Sequence, residues 1–337
     1  MIARLTGVAC ALALAACAAA PGPASELGDL NDYILMRTDG GARAPQRMSV
    51  AAAADVLKDY DVVLIGEIHR HPGSHIAEMA LFRALHQHNP KTSLSLEQFE
   101  RDVQPVLDDY MAGKIGEEPL RDKARAWDNY PVSYRPLVEY AKAHGLPVIA
   151  AEAPTMVVRC VGQEGPPFLA RMKPDQRGWA AAELHLQDGR YKDKFMKFAA
   201  GDGGHGEARA DADKQAAALR SFAAQVTRDD TMAESIYLHL QKNPGRKVVH
   251  LNGSFHSEEF LGTAERLKLR DPRLKIAVVT PVEVEKPGDL SVSADDAKSG
   301  TFVLLLLPQP KSYASMDEMK AAIGKQMQFR EKNKCEL

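Results

Sequence analysis

Short apolar runs that end in a polar or turn residue recur along the chain, and segments with apolar residues at helical spacing separate them. Runs of this kind predict β-strands. Alternating strands and helices are typical of an α/β fold, here a mostly parallel sheet with right-handed crossovers and flanking helices. The predicted strands are Val62–Ile65, Thr92–Glu97, Pro147–Glu152, Lys247–Asn252, Lys275–Thr280 and Thr301–Leu307.

The segments between these strands predict helices, and Ser49 is a candidate N-cap for the first of them. Residues 31–48 and the proline-broken stretch Asn129–Pro136 predict irregular structure and a loop. The predicted helices here are Met48–Lys58, Ser74–His88, Arg101–Met111, Glu117–Trp127, Leu137–His144 and Glu258–Leu269.

Residues 154–245 contain no strand-like run and predict a smaller helical insertion, packed as its own bundle. A helix from Pro174 to about Phe198 is interrupted near Asp188, residues 201–206 form a glycine-rich connector, and a long helix covers Asp211–Lys242. The chain therefore divides into a signal peptide (1–16), a tether and irregular segment (17–47), an α/β domain with the insertion (48–265), and C-terminal strands and tail (266–337).

The N-terminus predicts export rather than a membrane span. Arg4 precedes the apolar run Leu5–Ala16, which is too short to cross a bilayer. Leu14–Cys17 resembles the bacterial lipobox, in which the cysteine is acylated and becomes the mature N-terminus. We therefore expect a protein of the cell envelope that is anchored in a lipid bilayer through Cys17. Because Ala18 rather than aspartate follows, the outer membrane is favoured; the alternative is an ordinary signal peptide cleaved near Ala18–Ala20.

Charge and cysteine content exclude several classes of protein. The chain has 43 basic and 45 acidic residues and no basic run, which argues against nucleic-acid binding. There is no Cys-x-x-Cys motif, so a zinc ribbon, a thioredoxin-type redox site and covalent c-type haem are unsupported. In an oxidising compartment Cys160 and Cys335 form either a disulfide or two unpaired thiols, and the sequence leaves both alternatives open.

Acidic and imidazole side chains follow four of the predicted strands. The carboxyl ends of parallel strands meet at one edge, so Glu67, His69, Glu97 and His256 should lie together, with Glu152 near them. These donors suit a divalent metal that activates water, or acid–base chemistry without a metal. The alternative is structural: Glu97 and Glu152 cap helix N-termini, and the two histidines are half-buried turn residues.

Several motifs carry a resemblance, which extends from about residue 49 to about residue 265. They are Gly66–His69, Leu96–Phe99 with Gln104 and Tyr110, Tyr134–Lys142, Ala224–Ala233 and Gly253–His256. In order and spacing they resemble the ChaN family of haem-binding uptake lipoproteins, which belongs to the Tiki superfamily. The resemblance implies a parallel-sheet domain with a smaller helical domain. It also implies a homodimer around two stacked haems, each iron held by one tyrosine, and an outer-membrane haem receptor as a candidate partner.

In the wider superfamily, paired Gly-x-x-His motifs and a glutamate resemble the sites of Tiki-type metallopeptidases and erythromycin-esterase-like hydrolases. Glu67, His69, Glu97 and His256 occupy those positions. A metal-dependent hydrolase is therefore the alternative function, and an exported structural protein with a vestigial site is a third. No Gly-x-Ser-x-Gly or His-Glu-x-x-His motif is present, which argues against serine hydrolases and zincins.

The haem hypothesis requires an iron ligand and a cation for the propionates. A phenolate suits ferric iron, and an apolar wall with a few polar groups suits the porphyrin. Tyr134 is the first candidate ligand and Tyr191 the second, with Tyr130 and Arg135 beside Tyr134 in the chain. For each single tyrosine the alternative is an ordinary packing residue.

Overall fold

The structure is a computed structural model that describes residues 26–200, 212–319, 321–322 and 335. The predicted signal peptide, Cys17 and the glycine-rich connector lie outside the described residues. One eight-stranded sheet organises the rest, with the strand order β2-β1-β8-β7-β3-β6-β4-β5. Its strands are β1 (Ile34–Arg37), β2 (Gln46–Met48), β3 (Val62–Glu67), β4 (Thr92–Glu100), β5 (Val148–Glu152), β6 (Lys247–Gly253), β7 (Ile276–Glu283) and β8 (Phe302–Leu306).

The six strands from β8 to β5 are mutually parallel, which confirms the predicted α/β class with a mostly parallel sheet. Helices lie between and around them. They are α1 (Val50–Leu57), α2 (Pro72–His88), α3 (Gln104–Met111), α4 (Glu117–Lys123), α5 (Tyr130–Ser133), α6 (Arg135–Ala143), α7 (Thr155–Glu164), α8 (Pro174–Arg177), α9 (Arg190–Ala200), α10 (Ala212–Lys242), α11 (Thr263–Arg270) and α12 (Ala294–Lys298).

The prediction that residues 31–48 are irregular was wrong. β1 and β2 pair with each other, and β1 pairs with β8 in antiparallel register. These strands are too short for periodicity to reveal, and β1 is held by a partner from the far end of the chain. β7 and β8, predicted as a separate C-terminal segment, complete the same sheet.

Two other local predictions were also wrong. The predicted loop Asn129–Pro136 contains α5 and the start of α6, because Pro131 and Pro136 both occupy first-turn positions, where a missing N–H costs little. The predicted helix Glu258–Leu269 is broken: a 3₁₀ turn covers Glu258–Phe260, and α11 begins at Thr263 after Gly262, whose φ is +53°. The predicted helix from Pro174 to about Phe198 was wrong in its middle, because the chain between α8 and α9 is irregular.

Both faces of the sheet are covered. On one face, α1, α2, α3 and α6 bury a large apolar cluster that includes Leu57, Leu81, Leu107 and Leu137. On the other face, α10 and α11 contribute Met232, Ile236 and Leu267 to a second cluster with Val62 and Val248. The second half of α10 therefore packs directly on the sheet, while α7 and the first half of α10 form a further cluster around Cys160.

Cys160 in α7 is joined to Cys335 by a disulfide with an S–S distance of 2.08 Å. This is the paired alternative of the two that the sequence leaves open. It fixes one point of the C-terminal tail to the helical insertion. No helix among the described residues is both long enough and apolar enough to span a bilayer.

Candidate functional site

The carboxyl ends of β3, β4, β5 and β6 form one polar rim of the sheet, which we call the rim site. In the parallel register Gly66 lies beside Asn252 and Glu67 beside Gly253. β4 adds Glu97 from the other side of β6, and β5 ends at Glu152. Long-range pairing thus brings Glu67, His69, Glu97 and His256 to a common edge, as the strand pattern predicts.

Glu67 is buried at the end of β3 and is the acceptor for two side chains. Tyr134 donates its hydroxyl to Glu67 Oε1 at 2.6 Å, and His69 Nδ1 lies 2.6 Å from the same oxygen. Burial by itself favours a neutral carboxyl, but the contacts with His69 and Glu78 outweigh it and lower the pKa of Glu67. Burial opposes the charge of His69 too, yet Glu67 and Glu97 raise its pKa above the ordinary value.

Gly253 lets His69 and Glu97 approach the end of β6. Its backbone N–H donates to Glu97 Oε2 at 2.6 Å. A Cβ at this position would lie 2.8 Å from His69 Nε2 and 2.9 Å from Cε1, so no larger residue fits without displacing the imidazole. The close approach explains why β6 ends with a glycine.

His256 is the second imidazole of the rim site, and a buried aspartate orients it. Its Nδ1 lies 2.8 Å from Asp229 Oδ1, and its Nε2 lies 3.7 Å from Glu97 Oε1. Burial lowers the pKa of His256, but the charges of Asp229 and Glu97 outweigh burial and raise it to about 9. Asp229 also accepts hydrogen bonds from the hydroxyls of Tyr191 and Thr263.

A second layer of polar side chains lies beneath Glu67. His75 and Glu78, one helical turn apart on α2, are both buried, and His75 Nδ1 lies 3.0 Å from Glu78 Oε2 and 3.7 Å from Glu67 Oε2. Burial and the charge of Glu67 raise the pKa of Glu78 well above its ordinary value, and burial lowers the pKa of His75. Without a bound cation, these shifts favour one proton on the Glu67–Glu78 pair, with Glu78 the more readily protonated of the two.

Glu152 is paired rather than free. Arg228 Nη1 donates to Glu152 Oε2 at 2.8 Å, and the backbone N–H of Ala153 donates to Oε1 at 2.6 Å. Burial raises the pKa of Glu152 to about 7, with Arg228 acting in the opposite direction. This backbone contact does not cap α7, because Ala153 precedes the N-cap residue Pro154, and the N–H of Thr155 donates to Glu100 at 2.8 Å instead.

None of the candidate haem tyrosines presents its oxygen at the surface. Tyr134 is fully buried against Glu67, Tyr191 donates to Asp229 within the helical insertion, and Tyr130 is buried with an unpartnered hydroxyl. Burial raises the pKa of all three phenols, and the carboxylate partners of Tyr134 and Tyr191 raise it further. Arg135 pairs with Glu117. The structure thus separates Tyr191 from Tyr134 and gives both a partner other than iron.

An open cavity of about 320 Å³ lies over the rim beside these buried groups. His69, Arg70, Trp127, Asp128 and Asn129 line it. The His69 side chain is 46% exposed, and its ring meets Trp127 edge-on at 5.2 Å between centroids. Trp127 in turn packs over Tyr134 at 6.0 Å. The cavity combines an aromatic wall, an imidazole and the guanidinium of Arg70.

Asp229, His75 and Glu78 were missed by reasoning from the sequence. Asp229 had a visible signal, because Thr227–Thr231 is a polar run in the middle of a helix that otherwise has an apolar stripe. Four of those five residues are buried. His75 and Glu78 gave no comparable signal, since a mixed helix face normally meets solvent.

Comparison with known proteins gives the following matches. The sequence profile of the family described as "Haem-binding uptake, Tiki superfamily, ChaN" matches residues 53–267. The solved structure "Cofacial heme binding to ChaN of Campylobacter jejuni" has a TM-score of 0.59 and 16% identity, and covers 82% of this chain and 98% of that one. At that identity the match shows a shared fold.

Two further matches are weaker. "Protein RETICULATA-RELATED 5, chloroplastic" of Arabidopsis thaliana is 31% identical over 114 residues, which is 31% of this chain. The match spans only 15% of the length of that protein. The solved structure of a mutant erythromycin esterase, EreC, in its open conformation covers 87% of this chain and 86% of its own at 12% identity, with a TM-score of 0.42.

Proposed function

This chain belongs to the ChaN family of haem-binding uptake proteins in the Tiki superfamily, and from that premise we propose that it captures haem for iron acquisition at the rim of its sheet. The observation that carries the proposal is the family match itself. It extends over residues 53–267 and so includes Glu67, His69, Glu97 and His256. Haem is accordingly the proposed partner and cofactor.

The cavity beside His69 is the proposed docking surface. A porphyrin needs an apolar wall, and Trp127 supplies an aromatic one. Its propionates need a cation, which Arg70 supplies, although Arg70 now pairs with Asp128 at 2.8 Å. Because that ion pair is exposed on both sides, exchanging it for a propionate costs little free energy.

A homodimer fits the shape of this surface. The cavity is open, and its volume of about 320 Å³ is near the lower end of the range for ligand pockets, roughly 300–1,000 Å³. A haem seated there keeps one face uncovered. A second copy of the chain with its own haem would cover that face, which is the stacked arrangement expected from the family resemblance.

His69 is the proposed contact to iron, with the tyrosines as the competing ligands. It is the half-exposed donor in the cavity, whereas Tyr134 would have to leave both the core and Glu67 to reach a metal. An imidazole whose other nitrogen is held by a carboxylate is also a typical iron ligand. Tyr134 remains the nearest tyrosine, since it lies directly behind Trp127.

A hemin titration tests both haem binding and the assignment of His69 as the iron ligand. The purified protein should develop a Soret band, and Trp127→Ala should weaken binding. His69→Ala should change the ligand-sensitive bands while Tyr134→Phe and Tyr191→Phe leave them intact. A tyrosinate spectrum lost in Tyr134→Phe would restore the tyrosine assignment, and no Soret band in the wild-type protein would reject haem binding.

The anchor is the second part of the proposal. We place the protein in the cell envelope, tethered by acyl chains on Cys17 and facing the periplasm from the outer membrane, where a haem receptor could pass it ligand. The lipobox-like Leu14–Cys17 and the following Ala18 support this placement. Cys17→Ala should abolish labelling with palmitate and release the protein from the membrane fraction.

One observation favours hydrolysis as a second candidate function. In both rim imidazoles Nδ1 contacts a buried carboxylate, Glu67 for His69 and Asp229 for His256. Nε2 of each ring therefore remains for proton transfer or for binding a metal. Glu97 lies between them and could supply a third donor to a metal, which would activate water. The donor atoms of Glu67, His75 and Glu78 beneath the rim all lie within 4.8 Å of one another, and no set of three rim donors in the described part of the chain does. Acid–base catalysis without a metal therefore fits the geometry of the rim more directly.

Loss of ester or peptide hydrolysis in both His69→Ala and His256→Ala would support this second function. Retention of haem binding in His256→Ala would show that the two functions separate. A wild-type protein that hydrolyses neither activated esters nor peptides above the buffer rate would exclude this second function.

A further inference from the structure

We propose that Glu67, His75 and Glu78 form a buried site for a divalent transition-metal ion directly beneath the rim site. Each of the three side chains offers one ligand atom, and these atoms all lie within 4.8 Å of one another. Among the described residues this is the single cluster of three or more metal-binding groups with that property. The proposal does not depend on haem binding or on hydrolysis at the rim.

Two elements build the site. Glu67 ends β3, and His75 and Glu78 project from the same face of α2, three residues apart, which places their side chains as neighbours. His75 Nδ1 lies 3.0 Å from Glu78 Oε2 and 3.7 Å from Glu67 Oε2. Two atoms that bind the same ion through bonds of about 2.1 Å lie at most about 4.2 Å apart. The distances between the ligand atoms, which are all within 4.8 Å, must therefore shorten only slightly for the cluster to bind an ion.

The polar atoms of the cluster lack other partners. Glu67 Oε2, Glu78 Oε1 and His75 Nε2 are all inaccessible to solvent and form no hydrogen bond. Buried polar atoms are nearly always satisfied, and an unsatisfied one costs free energy comparable to a lost hydrogen bond. One cation would give the two carboxylate oxygens a partner and offset the repulsion between the carboxyl groups, and it would bind one of the two ring nitrogens of His75.

The donor set limits the kind of ion. One imidazole nitrogen and two carboxylates suit zinc, ferrous iron or manganese. Calcium requires six to eight oxygen ligands, which this enclosed site lacks, and no thiolate is present to favour copper(I). The nearby Tyr134 ring meets His75 edge-on at 5.2 Å and closes the site on that side.

An ion here would act on the rim through Glu67. Oε1 of this carboxylate holds His69 and Tyr134, while Oε2 faces the buried cluster. Ligation of Oε2 would fix the carboxylate and so hold the His69 imidazole in one orientation. The site would therefore be structural, and Glu78 and His75 would be positioning residues for the rim.

Metal loading of the full chain, without a polyhistidine tag, tests the proposal. Protein dialysed against a chelator is titrated with Zn²⁺, Mn²⁺ or Co²⁺ and analysed for metal content and thermal unfolding. We expect one ion per chain and a higher unfolding temperature on loading. Glu78→Gln and His75→Asn should bind at least about tenfold more weakly, and their unfolding temperature should not respond to the ion.

The matched controls are Glu97→Gln and His256→Asn, which alter rim donors outside the buried cluster and should keep wild-type loading. An ion lost in these controls and kept in Glu78→Gln would overturn the proposal, because it would place the metal at the rim. A wild-type protein that takes up none of the three ions would also overturn the proposal. A proton shared by the two carboxyl groups would then occupy the site. If Glu78→Gln or His75→Asn does not fold, NMR of the wild-type protein loaded with Co²⁺ tests the proposal instead. The paramagnetic ion should shift the imidazole resonances of His75, and unshifted His75 resonances would overturn the proposal.

Discussion

At the scale of single residues, the charge of His256 depends on the carboxylates around it. Asp229 and Glu97 raise its pKa to about 9 from an ordinary value of 6.5. A histidine with a raised pKa stabilises the fold most when it is protonated in both states, below about pH 6.5. That contribution is lost as the pH rises through about 9. Asp229 gives the largest of the charge effects that oppose burial.

Replacing Asp229 with asparagine should therefore reduce the pH dependence of stability. In Asp229→Asn the pKa of His256 should fall, and the decrease in the free energy of unfolding between pH 6.5 and 9 should become smaller. Denaturant unfolding at both pH values and an NMR titration of His256 measure the two effects. Asp230→Asn is the matched control, because Asp230 contacts His185 and Arg270 and not His256. An unchanged His256 titration in Asp229→Asn would contradict the assignment.

Gly253 is the other residue on which the rim site depends. The methyl group in Gly253→Ala would meet the His69 ring at 2.8 Å, so we expect the ring to move away from Glu67. Overpacking of this kind costs about 1–3 kcal/mol of unfolding free energy, and hemin affinity should fall with it. Gly178→Ala is the control, since nothing lies within 4 Å of its added methyl group. Equal hemin affinity in both variants would show that His69 does not need this gap.

At the scale of elements, β5 is an edge strand that a side chain covers. Gln104 Nε2 donates to the carbonyl of Val148 at 2.9 Å, and Gln104 Oε1 accepts from the N–H of Ala150 at 2.7 Å. The amide thus pairs with the strand as a neighbouring backbone would. Exposed sheet edges are sites of unwanted pairing between chains, and the Gln104 side chain covers the edge formed by β5.

Gln104→Ala should uncover the edge of β5. Two buried backbone groups would lose their partner, so the free energy of unfolding should fall by about 1–3 kcal/mol. Self-association should rise at the same time, as followed by light scattering during equilibrium unfolding. Asp108→Ala is the control, because it removes the other contact of the Gln104 amide and leaves the strand contacts in place. Unchanged stability and association would mean that water replaces the amide.

At the scale of the whole molecule, the Cys160–Cys335 disulfide closes a long covalent loop, with a sequence separation of 175. It connects the tail beyond the sheet to α7, whose Cys160 is buried among apolar side chains. A cross-link over so many residues restricts the unfolded chain strongly. We therefore expect this cross-link to stabilise the folded chain, although Cys335 follows the last strand.

Removing this cross-link should destabilise the entire chain. Cys335→Ser should lower the free energy of unfolding by about 2–4 kcal/mol, measured in denaturant under oxidising conditions. Dithiothreitol should reproduce the loss in the wild-type protein and should have no further effect on the variant. A variant as stable as the oxidised wild-type protein would show that the tail does not depend on the bond.

The sequence alone determined the parallel core of this protein and the edge at which its chemistry lies. Apolar periodicity is a local property, so β3, β4, β5, β6 and the main helices could be predicted from the chain itself. Crossover connections between parallel strands then require all their carboxyl ends to meet. For that reason the sequence alone places Glu67, His69, Glu97 and His256 together.

Only the tertiary structure decided which side chains act on those four residues. β1 owes its place to β8 at the other end of the chain, and Asp229 reaches His256 only because α10 packs on the sheet at one rotational setting. Tyr134 lies in a proline-broken stretch that predicts a loop, yet α5 and α6 turn it inward onto Glu67. Such contacts join segments that are distant in sequence, and their free energy depends on packing and burial, which no local pattern records.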